Sequence, residues 1–159
     1  MSIFTDEASQ SPAGQEAWLE AVEKAALSDK EAQLIRFSKE VEACEGFAGV
    51  QRLIGRIAEP GTVLYDTILR EAAGRDLEEA AGLKADWILA QVSPAAAVTT
   101  AETLMKQWTE TDPLPASEWL DVVPRPAPWR RAAILAFVKG IEPHDPEAAA
   151  QWRLAAGAP

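Results

Sequence analysis

The chain has 159 residues, 48% of them hydrophobic, with a formal net charge of −10 and one cysteine. That length buries enough surface for a core without staples, while a lone cysteine excludes an internal disulfide and a cysteine-based metal site. The acidic balance opposes binding to a phosphate backbone or an anionic membrane surface, so the expected partner is another protein, a basic one if charge is what selects it.

Four dipeptides, Ser11-Pro12, Ser93-Pro94, Asp112-Pro113 and Asp145-Pro146, place a side-chain oxygen before a proline. Ser or Asp accepts from the free N–H groups of a helix's first turn. Proline suits the first helical position and pushes its predecessor out of the α region. All four therefore read as helix starts, and "MSIFTDEASQSPAG" before and around the first is an N-terminal tail over 1–10. That segment lacks the basic lead and apolar run of a signal peptide. No stretch approaches the roughly 18 apolar residues of a membrane span, so the expected location is the cytoplasm.

The helical periodicity then runs in chain order. Ala17, Trp18, Ala21, Val22 and Ala25 share a face over 12–27, and Ser28 with Glu31 forms a capping box opening a second helix over 29–44. Leu34, Phe37, Val41 and Cys44 make its inward side, with Cys44 as core filler, and Glu45-Gly46 closes it. Phe47, Val50, Leu53, Ile54 and Ile57 mark a third, stopped by Pro60-Gly61. Leu64, Ile68 and Ala72 mark a fourth, closed by Gly74; Leu77, Ala80, Lys84, Trp87 and Ile88 mark a fifth. A sixth starts at Pro94 with Val98, Ala101, Leu104, Met105 and Trp108 inward, a seventh spans Pro113 to Val123, an eighth Pro128 to Gly140, and a ninth starts at Pro146. No segment reads as a strand. The expected fold is all-α, in one domain over 11–159.

The tryptophans Trp87, Trp119 and Trp152 are spaced 32 and 33 residues apart, and Trp18 precedes Trp87 by 69, with Leu53 near the midpoint. The phrases "SPAGQEAW", "TDPLPASEW" and "HDPEAAAQW" place a capped proline at one fixed interval before a Trp. Ala101, Leu104, Met105 and Trp108 align with Ile134, Phe137, Val138 and Ile141 at an offset of 33. A helix–turn–helix unit of that length lies within the range of helical solenoids. The chain thus resembles the class of α-helical repeat proteins, tetratricopeptide-like or HEAT-like, though "WILAQVSP" and "WLDVVPRP" lack the Gly and Tyr of the tetratricopeptide pattern. The resemblance implies a right-handed array of antiparallel helix pairs, or a compact bundle, that binds proteins, and it supplies no catalytic residues.

Chemistry-bearing constellations are sparse. His144 stands alone in "EPHDPE", no Ser or Cys sits in a nucleophile context, and no glycine-rich phosphate loop is present. No catalytic, cofactor or metal site is therefore expected. Glu16, Glu20 and Glu23 fall at helical spacing opposite an apolar stripe, as does the pair Glu78-Glu79 on its own helix, which reads as a solvated face. Pro124-Arg125-Pro126-Ala127-Pro128 suggests a polyproline-II turn. Beside Trp129, Arg130 and Arg131 open the eighth helix, where positive charge opposes the dipole; Glu118 or Asp121 would neutralise them, or a partner would. Trp87, Trp119 and Trp152 either pack the core or floor a groove. The expected function is a non-enzymatic adaptor or scaffold. The alternative is a small acidic chaperone or immunity protein that masks a basic client, suggested by ten acids against four bases in residues 1–50. A remoter one is an enzyme with an atypical site.

Overall fold

The computed structural model describes residues 11–24, 30–75, 77 and 81–157. Among them every regular element is a helix, and there is no strand: α1 Pro12–Lys24, α2 Lys30–Glu45, α3 Phe47–Ile57, α4 Val63–Ala73, α5 Ala81–Gln91, α6 Pro94–Thr111, α7 Pro113–Val122, α8 Arg130–Ile141 and α9 Pro146–Ala155. The helix–helix contacts are those of a bundle or array, and no described helix is long and apolar enough to cross a membrane.

The four residue–proline pairs start helices as their chemistry dictates. Ser11 Oγ accepts from Gly14 N at 3.1 Å, Ser93 Oγ from Ala96 N at 3.3 Å, Asp112 Oδ1 from Leu114 N at 3.3 Å and Asp145 Oδ1 from Ala148 N at 3.1 Å. Asp112 alone joins α6 to α7: its own N–H donates to Trp108 O at 2.7 Å, so one extended residue ends one helix and caps the next. Gly46 links α2 to α3 through its backbone alone, its N–H donating to Glu42 O at 2.7 Å and its carbonyl accepting from Gly49 N at 3.1 Å, with φ at 76°, a conformation open to glycine. Gly74 follows α4 without a left-handed backbone. The capping box at Ser28 lies outside the described residues.

Helices divide between two compact units, Met1–Ile68 and Leu69–Pro159, with the boundary inside α4. In the first, Trp18, Leu19 and Val22 of α1 pack with Leu34, Phe37 and Val41 of α2 and Leu53 of α3. Trp18 lies on Phe37 with ring centroids 4.3 Å apart and planes at 17°. The inward face of α1 is thus Gln15, Trp18, Leu19 and Val22; the expected Ala17 and Ala21 point outward. A stripe of small residues gains little from burial compared with Leu19, so the helix rotates toward its bulkier side. Cys44 is exposed rather than core, because Val41 is the last α2 side chain that the cluster reaches. Arg52 of α3 holds this end together, donating to Gln15 Oε1 at 2.7 Å and Glu45 Oε2 at 2.8 Å. In the first turn of α4, burial and then the Asp66 carboxylate push the Tyr65 hydroxyl above its ordinary pKa.

The second unit is organised around α6 and α8, its most extensively paired helices. The two stripes aligned at an offset of 33 are both buried: Ala101, Leu104, Met105 and Trp108 on α6, and Ile134, Phe137, Val138 and Ile141 on α8. α7 packs on both helices, and α9 packs on α8. Lys84 of α5, buried along its stem, donates Nζ to the Arg75 carbonyl just past α4, where a cation suits a helix C-terminus.

The approach of α6 to α8 depends on Gly140. A Cβ there would lie 2.6 Å from Thr109 Cγ2 and 3.1 Å from Thr109 Cβ. Thr109 is buried, and its β-branched side chain has few rotamers in a helix. Gly140→Ala gains helix propensity worth about 1 kcal/mol, but overpacking costs about 1–3 kcal/mol. A net loss of about 1 kcal/mol is expected in urea unfolding, and Thr109→Ala in the same chain should turn it into a gain. A stabilising single Gly140→Ala would show that the helices have room.

Candidate functional site

The tryptophans separate into different environments. Trp119 is core: 6% exposed, with its Nε1 donating to Asp86 Oδ1 of α5 at 2.9 Å. Its ring stacks on Trp129 at 5.4 Å and 10°, and tilts against Trp108 at 5.8 Å and 48°. A Cβ on Gly82 would come within 3.2 Å of it, so α5 approaches closely at that glycine. Trp119 thereby joins α5, α6, α7 and the entry to α8, and it cannot floor an open groove. Trp129 is half-buried as the other member of the stack. Trp152 and, on α5, Trp87 are also half-buried, and the Trp152 ring makes a T-shaped contact with Phe137 at 5.5 Å and 76°.

The cations at the start of α8 diverge. Arg130 donates Nη1 to the carbonyl of Ala155 at 3.3 Å, so its charge meets the C-terminal end of α9 instead of Glu118 or Asp121. Arg131 is exposed and makes no ion pair or hydrogen bond with a described residue. Before them, Ala127 N donates to Pro124 O and Arg130 N to Ala127 O, both at 3.1 Å. The proline segment is therefore folded into consecutive turns, which replaces the expected polyproline-II conformation. On α1, Glu16 and Glu20 are exposed, and Glu16 pairs with Arg56 Nε of α3 at 3.4 Å. The Glu23 side chain and the Glu78-Glu79 pair lie outside the described residues. Among the described residues, no group of three or more His, Cys, Asp and Glu is placed to hold a metal ion.

A concave surface occurs where none of these candidates except Arg131 lies. Between α6 and α8 runs an open groove of about 780 Å³. One wall is the row Glu102, Lys106 and Glu110 on α6; the floor is Ala132, Ala136 and Gly140 on α8; the far wall is Arg131, Leu135 and Lys139. Each row advances four residues at a time, so each follows one helix face along its axis. Pro128 closes one end. A second groove of about 670 Å³ lies between α8 and α9, with Val138, Pro143 and Pro146 in its lining and the Glu142–Arg153 ion pair on its edge. Leu135 and Lys139 line both and form the ridge between them.

These rows were visible in the sequence as four-residue spacings. Their significance was not, because only the packing of α6 against α8 turns two helix faces into one groove. Ala132 and Ala136 keep the groove open where larger side chains would fill it.

No protein family, characterised protein or solved structure compared with this chain matches it.

Proposed function

We propose that the chain is a non-enzymatic binding module whose working surface is the α6–α8 groove. The supporting observation is the groove's make-up: a floor of small apolar residues between charged walls, on the best-packed helix pair of the second unit. Interfaces combine an apolar centre with a polar rim in this way. Side chains carried on helices already packed together have less freedom left to lose when a partner docks. The second reading, a small acidic helper that masks a basic client, draws on the −10 charge and the exposed Glu16 and Glu20.

Affinity capture from the native cell with the full chain tests the first reading, with Ala136→Arg as the blocked control. A partner held at fixed stoichiometry and lost with Ala136→Arg is the expected result, provided the variant keeps its helical signal. A partner retained by Ala136→Arg, or the absence of any stoichiometric partner, overturns it. Masking of a basic client through the acidic first helix would instead show capture insensitive to Ala136→Arg and strongly weakened by salt.

A further inference from the structure

We propose that the groove receives an amphipathic α-helix of a partner protein, with an acidic edge of that helix lying along Arg131 and Lys139; this rests on the binding-module reading. The groove is elongated: its floor from Ala132 to Gly140 spans about 12 Å at 1.5 Å per residue, and the far wall Arg131, Leu135 and Lys139 follows the same helix. A rod-shaped occupant fits such a channel. At Ala132 and Ala136 the floor side chains are methyl groups, so a helix can lie close against that stretch of α8, near the lower end of the usual 8–10 Å separation of helix axes.

Charge selects which helix. Along α6, Lys106 stands one turn from Glu102 and one turn from Glu110, so that wall alternates in sign and attracts neither charge uniformly. Along α8, Arg131 and Lys139 stand two turns apart with Leu135 between them. Both are exposed, and neither makes an ion pair or hydrogen bond with a described residue. The lining holds three bases and two acids on a chain whose net charge is −10. An occupant with acids at i and i+7 or i+8 would meet both cations at once. The acid beside Arg131 would also face the N-terminal end of α8, where the helix dipole favours negative charge. Leu and Ala at the positions between would cover the floor.

Two end-capped, Ala-rich probe peptides of about 18 residues, long enough to be helical in water, test this against the full chain by fluorescence anisotropy. Both carry the same Leu stripe; one has Glu at the edge positions and the other Lys. The Glu-edged peptide is expected to bind about tenfold more tightly, the yield of two rim ion pairs, and Arg131→Glu with Lys139→Glu should reverse the order. Both sites are exposed, and an acid in the first turn of α8 is favourable, so the variant's helical signal and melting should be kept. Equal affinities, preference for the Lys-edged peptide, no binding of either, or an order unchanged in the double variant would overturn the proposal. If the proposal fails while a captured partner is still lost with Ala136→Arg, the binding-module reading stands; if capture fails as well, both fall.

Discussion

Trp119→Ala is expected to remove about 3–5 kcal/mol of stability, read as a lower urea midpoint. The size follows from where the indole sits. It is 6% exposed and touches tryptophans on both sides, so its loss opens a cavity lined by rigid rings that cannot collapse to fill it. Trp119→Phe separates the contributions. The ring contact with Trp129 is kept, whereas the hydrogen bond to Asp86 is lost. Asp86 is exposed and regains water, so about 1 kcal/mol should be lost through that bond. Hydrogen exchange on Trp119→Ala should show reduced protection in α5 to α8. A loss below about 1 kcal/mol for Trp119→Ala would remove the residue from the core.

Phe37→Ala should be comparably severe, again about 3–5 kcal/mol. Phe37 is fully buried at the centre of the first unit's cluster, and its face-to-face contact with Trp18 adds about 0.5–1.5 kcal/mol beyond area alone. A double-mutant cycle with Trp18→Ala isolates that part: the two losses should fall short of additivity by about that amount. Exact additivity would mean that the stacked geometry carries no energy of its own. Protection should fall first in α1, α2 and α3, the helices that contribute to the cluster.

The placement of Trp119 also explains why a regular spacing of tryptophans is a poor guide to a binding surface. Trp119 and Trp152 occupy matching places after Asp112-Pro113 and Asp145-Pro146. Trp119 is enclosed because α5, Trp108 and Trp129 surround it, whereas Trp152 makes a T-shaped contact with Phe137 and stays half-buried. Identical local sequence chemistry meets different neighbours.

The features legible from sequence are local ones. A Ser or Asp before proline caps a helix through atoms within three residues of one another, so all four starts were legible. The stripes of α6 and α8 were equally so, because apolar residues at helical spacing must be covered by something. What covers each face depends on how the helices pack, and that packing is set across the whole chain. It turned α1 onto Leu19 and away from Ala17, left Cys44 outside, sent Arg130 to the end of α9, and folded Pro124–Pro128 into turns. It also brought two modest rows of charges and a row of small residues together as a groove. Contacts between residues far apart in the chain depend on the summed packing of whole helices, and no short window of sequence holds that sum.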